Sequence, residues 1–142
     1  MKKTSAILVL ALAGVVSARD TKMMMPIAKA MESADYKAKV GDKIKFSFGD
    51  TAAAAAGKSL GVAKTSRKTN AVGKSDSAAC EWVFLSAMIA LRGKAESTGA
   101  DQVVGIVSNY KNVEYASPTE YECHVGGVIA GVALKGTLVK GR

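Results

Sequence analysis

The segment between Ser75 and Gly99 constrains the fold more than any other part of the chain. Ser75, Asp76 or Ser77 can cap the start of a helix, and Gly99 suits the left-handed conformation that ends one. A helix that is apolar most of the way round must be covered on more than one side. We therefore expect either an N-terminal helix or a second subunit to lie on it, because its apolar residues include Ala79, Trp82, Val83, Phe84, Leu85, Ala87, Met88, Ile89, Ala90 and Leu91.

The other segments predict one short helix and several strands. Apolar spacing after Pro26 predicts a short helix that begins at Pro26 and ends before Gly41, and the alternation in "KIKFSF" predicts a strand over 44–48. A strand over 59–65 is expected after the alanine tract 52–56, and another over 103–107. The closing stretch "YECHVGGVIAGVALKGTLVK" predicts one or two long strands, whose glycines serve either packing or a binding groove: Gly126, Gly127, Gly131 and Gly136. The sequence thus predicts a two-layer α+β domain with one long helix on an antiparallel sheet.

The first 18 residues have the three parts of a secretory signal. Lys2 and Lys3 precede a short apolar run over 6–16, and Val16-Ser17-Ala18 is a small-residue cleavage site. The run is too short to cross a bilayer as a stable helix. We expect cleavage between Ala18 and Arg19, and a single periplasmic domain over 19–142 with no later membrane span.

Two cysteines, Cys80 and Cys123, lie in the expected mature chain. In an oxidising compartment such a pair predicts a disulfide, which would stabilise the fold by roughly 4 kcal/mol. The alternative is a metal-responsive protein that binds through both cysteines and His124. Neighbours in a strand point to opposite faces, so Cys123 and His124 make a poor zinc site. The disulfide is favoured, and no metal or cofactor is expected.

The chain is basic, with 20 lysines and arginines against 12 acids and a net charge of +8. Lys2 and Lys3 belong to the signal, so residues 19–142 retain +6. The densest predicted cluster is a loop that contains Lys64, Arg67, Lys68 and Lys74. Such a loop can bind anionic envelope polymers or nucleic acid, and the alternative is an ordinary solvated lysine surface.

Two Gly-Lys-Ser tripeptides, at 57–59 and 73–75, match the end of a phosphate-binding loop. Ala52 and Lys68 stand where the first glycine of that motif belongs, so neither copy is complete. His124 is the only histidine, and no Gly-x-Ser-x-Gly turn is present. We expect no ATP hydrolysis and no enzyme. The second copy predicts a helix cap, or an anion site formed by the helix N-terminus with Lys74 beside it.

The stretch "ACEWVFLSAMIALRGKAESTGADQVVGIVSNY" resembles the small domain of the YbjQ family, in which a long helix ends in Gly-Ala-Asp before a valine-rich strand. "ALKGTLVK" at 133–140 is similar to that family's closing Gly-Thr-x-Val strand. The resemblance covers about 76–140 and implies a β-α-β-β unit like that of a dodecin subunit, in a domain that tends to form rings. YbjQ-like domains have also been described as heavy-metal-binding.

Most of 19–140 is similar to a group of small exported Gram-negative proteins that share "KTN", "KSD" and "YECHVGGVIAGVALKGT". Members often carry the label "excinuclease ATPase subunit", which the residues contradict because complete phosphate loops and zinc-binding cysteines are missing. The outer-membrane stress sensor RcsF has a related helix, Gly-Ala and strand arrangement with disulfides. Its lipid-anchor cysteine is absent from this sequence.

Three functional hypotheses follow. The first is a non-enzymatic periplasmic domain with a role in envelope stress, which binds an envelope protein or assembles into a homo-oligomer. The second is an anion-binding module that uses Lys64, Arg67, Lys68 and Lys74 for envelope polymers or nucleic acid. The third is the metal-responsive protein, with Cys80, Cys123 and His124 as ligands.

Overall fold

The computed structural model describes residues 19–49 and 57–141. The predicted signal peptide 1–18 and the alanine tract 52–56 lie outside these residues. The described part contains six strands and three helices, together with a 3-10 turn at Tyr110–Asn112. In chain order the elements are β1 (Thr21–Pro26), α1 (Ile27–Met31), α2 (Ala34–Lys39), β2 (Lys45–Phe48), β3 (Lys58–Asn70), α3 (Asp76–Thr98), β4 (Gln102–Ser108), β5 (Glu120–Val125) and β6 (Ile129–Lys140).

The six strands form one sheet built around β6. β3 pairs antiparallel with β6 along its whole length, from Asn70 opposite Ile129 to Lys58 opposite Lys140. The remaining strands follow in the order β6-β5-β1 near the start of β6 and β6-β4-β2 near its end. β2 runs parallel to β4, so the predicted wholly antiparallel sheet is wrong at this pair. The α+β class itself is confirmed.

Helix α3 packs across one face of the sheet, as the sequence predicts. Ser75 caps its start by accepting a hydrogen bond from the Ala78 N–H at 3.1 Å, and Gly99 ends it with φ of 81°. Strands β3, β5 and β6 pack against the helix, and α1 also contacts it. Of the two covers expected for α3, the structure shows the N-terminal one, in the form of the short helix α1.

The N-terminal segment differs from the single helix expected over 26–41. The helix is broken in two, because the Ser33 hydroxyl accepts from the Tyr36 N–H at 3.1 Å and starts a new one. Strand β1, which precedes it, was not predicted, since "TKMMMP" carries no β-branched alternation. Its pairing with β5, Met23 opposite Cys123, is a tertiary effect.

Phe84 of α3 joins the layers of the core. Its ring centroid lies 4.1 Å from that of Tyr121 on β5, 6.2 Å from Phe48 on β2 and 6.5 Å from Tyr36 on α2. Nearby, a disulfide links Cys80 of α3 to Cys123 of β5, with the two Cα atoms 5.9 Å apart and both residues fully buried. The predicted pairing is confirmed.

Within residues 19–49 and 57–141, no helix is long and apolar enough to cross a membrane.

Candidate functional site

The sheet face opposite α3, here called the open face, carries a cluster of polar side chains around His124. Strand alternation decides which residues point there. On β5, Tyr121, Cys123 and Val125 are buried toward α3, so Glu122 and His124 point to the open face. The sequence "YECHV" gives this alternation directly, but it does not show what covers His124.

His124 lies at the centre of a stacked and hydrogen-bonded cluster. The ring of Tyr110 stacks on it, with centroids 3.4 Å apart and planes 10° from parallel. Nδ1 of His124 lies 3.1 Å from Oδ1 of Asp20, and Nε2 lies 2.5 Å from Oε1 of Glu122. Both ring nitrogens therefore face carboxylates, which leaves neither free to bind a metal ion in this arrangement.

The Tyr110–Asn112 turn stands above β6 and separates two open pockets on this face. The Asn109 N–H donates to the Ala133 carbonyl of β6 at 2.9 Å and fixes the start of the turn. One pocket, of about 300 Å³, is lined by Arg19, Asp20, Lys68, Tyr110, His124, Gly126, Ile129 and Gly131. The other, of about 280 Å³, is lined by Lys64, Thr65, Ser66, Asn109, Lys111, Asn112 and Ala133.

The turn itself is held in a costly backbone conformation. Lys111 and Asn112 have φ of 51° and 61°, a region that non-glycine residues rarely adopt. Each such residue costs on the order of 1 kcal/mol and persists only where its surroundings enforce it. The Asn112 and Val113 N–H groups donate to the carbonyls of Asn109 and Tyr110 at 3.1 and 3.0 Å. The strained turn places the Lys111 side chain at the second pocket.

The four basic residues predicted to share a loop do not lie together. Lys64, Arg67 and Lys68 are on strand β3, which extends to Asn70 and replaces the expected loop. Arg67 pairs with buried Val132 and so lies on the α3 side, whereas Lys64 and Lys68 lie on the open face and line different pockets. Lys74 is in the turn before α3. Sequence proximity hid this division, because alternate strand residues point in opposite directions.

A separate set of cations surrounds the turn instead. Lys64, Lys68 and Lys111 form no ion pair with an acidic side chain among the described residues. Beside them Lys135 donates a hydrogen bond to Glu114, and that bond and charge hold the pKa of the Glu114 carboxyl below its usual range. Lys111 also lies 5.5 Å from the centroid of the Tyr110 ring. The sequence does not reveal Lys111 as a neighbour of Lys64.

An ordinary structural role also fits the β3 lysines. β3 pairs only with β6 in the described sheet, so its second edge is open. Lysines on an edge strand discourage pairing with another chain. The Lys94 ammonium donates a hydrogen bond to the carbonyl of Lys64 and protects this edge further.

Neither Gly-Lys-Ser copy forms a phosphate-binding loop. Lys58 and Ser59 of the first copy lie in β3, opposite Lys140 and Val139. The second copy is the turn before α3, where Ser75 caps the helix. This confirms the helix cap that was one of the two roles expected for this copy. The metal alternative also loses ligands, because the sulfurs of Cys80 and Cys123 are bonded to each other and His124 points to the other face. In the described part of the chain, no three histidine, cysteine, aspartate or glutamate side chains lie close enough together to hold a metal ion.

The glycines near the site have different roles. A Cβ on Gly126 would lie 3.1 Å from the Arg19 carbonyl oxygen. The glycine therefore allows the segment just before β1 to pass close to the residue just after β5. A Cβ on Gly131 would make only ordinary contacts, the nearest at 3.7 Å. Its missing side chain instead leaves the floor of the first pocket open. A Cβ on Gly127 would meet no atom within 4 Å beyond its chain neighbours.

Comparisons of the chain with protein-family models, with curated proteins and with solved structures found no match.

Proposed function

We propose that the protein is an exported, non-catalytic binding domain whose open face binds an anionic ligand. The observation that carries this proposal is the strained Tyr110–Asn112 turn between two open pockets, with Lys64 and Lys111 at one and Lys68 at the other. Within 19–49 and 57–141, none of these three lysines forms an ion pair. Backbone strain of this kind occurs at functional sites, where it holds side chains in place. The anion site thus differs from the one expected from sequence, since Arg67 and Lys74 are left out and Lys111 enters.

The ligand class follows from the pocket chemistry. Three lysines supply cations, and Asn109, Asn112 and Ser66 offer neutral hydrogen-bonding groups. Tyr110 adds an aromatic ring on which His124 stacks from one face. Single-stranded nucleic acids and charged envelope polymers combine phosphate or carboxylate groups with flat or hydroxyl-rich units, which suit such a mixture.

The periplasmic location is part of the proposal. It is supported by the signal-like residues 1–18 and by the Cys80–Cys123 disulfide, since such bonds persist in oxidising compartments. A YbjQ-like fold is likewise proposed, supported by the end of α3 at Gly99-Ala100-Asp101 and the valine-rich strand β4.

The test is binding of a fluorescent single-stranded oligonucleotide and of a labelled anionic envelope polysaccharide, by anisotropy, over a range of salt. Lys64→Gln, Lys68→Gln and Lys111→Gln together should weaken binding and reduce the salt slope for the oligonucleotide by about 2. The control changes three exposed lysines of the N-terminal segment that line neither pocket, Lys29→Gln, Lys37→Gln and Lys43→Gln, with the same loss of charge. Equal loss in both triple variants, or binding indifferent to salt, would contradict the proposal.

Self-assembly is a second candidate, favoured by the exposed side of α3. Trp82 and Ile89 are 45% and 38% exposed there, with small Ser86, Ala90 and Gly93 beside them. Lys39 lies 4.6 Å from the Trp82 ring centroid and covers part of it. If this stripe joins two copies, light scattering should give a dimer mass that Ile89→Asp returns to a monomer. A wild-type monomer at high concentration would remove this candidate.

A further inference from the structure

Two turns at one end of the sheet carry exposed aliphatic side chains. Val72 is central in the turn 71–74, which the Lys74 N–H closes by donating to the Ala71 carbonyl at 3.2 Å. Val128 is central in the turn 126–129, which the Gly126 N–H closes by donating to the Ile129 carbonyl at 2.8 Å. The turns lie side by side, since the Ala71 N–H donates to the Val128 carbonyl at 2.7 Å.

The residues of this end, here called the apolar tip, are Val72, Val128 and Ile129, which are 61%, 59% and 49% exposed. Turn positions favour glycine, proline, asparagine, aspartate and serine, each for a conformational or hydrogen-bonding reason. A β-branched aliphatic residue has no such advantage in a turn. Its presence in both turns, with the side chains in water, points to a contact that the single chain does not make.

Charge at the apolar tip is positive. Lys68 lines a surface pocket together with Val128 and Ile129, and Lys74 follows Val72 by two residues. Neither lysine forms an ion pair in the described part of the protein. Two acids at this end are engaged by other side chains, because Asp76 forms an ion pair with Arg19 and Asp20 lies within hydrogen-bond distance of His124. An apolar point flanked by free cations is complementary to a bilayer surface with anionic headgroups.

We propose that the apolar tip docks on the surface of an anionic phospholipid bilayer. Val72, Val128 and Ile129 enter the boundary between headgroups and acyl chains, while Lys68 and Lys74 contact the lipid phosphates. The tip is a pair of adjacent turns with three exposed apolar side chains, a surface far smaller than the ~800 Å² per partner that a stable protein complex buries. The proposal does not depend on ligand binding by the open face.

The test is co-sedimentation with vesicles of phosphatidylglycerol and phosphatidylcholine, compared with phosphatidylcholine alone. The full chain is expressed and the intact mass of the purified protein measured, so that removal of the apolar residues 6–16 is established. Wild type should bind the anionic vesicles more strongly. The double change Val72→Asn and Val128→Asn should lower the partition coefficient about tenfold. The reason is that binding would no longer transfer two exposed valine side chains from water into the bilayer.

Asparagine suits turns and adds no charge, so the double variant should keep its fold and its urea midpoint. The control is Val113→Asn, because Val113 is 70% exposed at a site away from the apolar tip, and it should bind vesicles as wild type does. Binding that survives the double change, an equal loss in the control, or no binding by wild type would overturn the proposal. So would a dimer in light scattering that the double variant dissociates, since the tip would then be a protein contact.

Discussion

Reduction of the Cys80–Cys123 disulfide should destabilise the protein by about 4 kcal/mol. The bond joins residues 43 apart in sequence, and closing a loop of that length removes roughly 13 cal/mol/K of entropy from the unfolded chain. Both cysteines are fully buried among apolar residues, where free thiols behave as small hydrophobic groups. Reduction should therefore add little cost in the folded state, and chain entropy should dominate.

The measurement compares urea unfolding of the oxidised protein with that of the same protein reduced in denaturant and refolded under dithiothreitol. For a domain of about 120 residues, 4 kcal/mol corresponds to a fall in Tm of about 15 °C. The urea m-value should also rise, because the unfolded chain without the link exposes more surface. Reduced wild type is the better comparison, since Cys→Ser would add buried hydroxyls. Unfolding free energies within 1 kcal/mol of each other would refute the reasoning.

Three more predictions concern packing and buried hydroxyls. Gly136→Ala should lower the free energy of unfolding in urea by about 1–3 kcal/mol, because the new Cβ would lie 2.8 Å from a methyl group of Val103. The control is Gly93→Ala on the exposed side of α3, which should leave this free energy unchanged or raise it by up to about 1 kcal/mol. Burial raises the pKa of Tyr36 and Tyr121 well above the ordinary tyrosine value of about 10, so their contribution to stability is complete below pH 10 and is lost as the pH rises towards the raised pKa. Ultraviolet titration should show both ionising only as the protein unfolds, and early ionisation would contradict this. Neither hydroxyl has a hydrogen-bond partner in the described structure, so Tyr121→Phe should stabilise by about 1 kcal/mol.

Local patterns in the sequence were sufficient for the long helix and the strands with clear alternation. The capping serine, the apolar residues that follow it and Gly99 predict the two ends of α3 to within two residues, and the alternation in "KIKFSF" predicts the position of β2. The α+β class follows from the order of these elements. The disulfide could be predicted because two cysteines allow one pairing.

Pairing between distant segments decided the rest. β1 is a strand because it pairs with β5, and β2 pairs in parallel with β4. β3 extends through the residues predicted to form a basic loop, because β6 is long enough to pair with all of it. The candidate site depends on the same effect. Tyr110 stacks on His124 although the two residues are distant in sequence, and strand alternation places Arg67 and Lys68 on opposite faces of the sheet. Hydrogen-bond register sets these contacts, and register is fixed only when the strands meet.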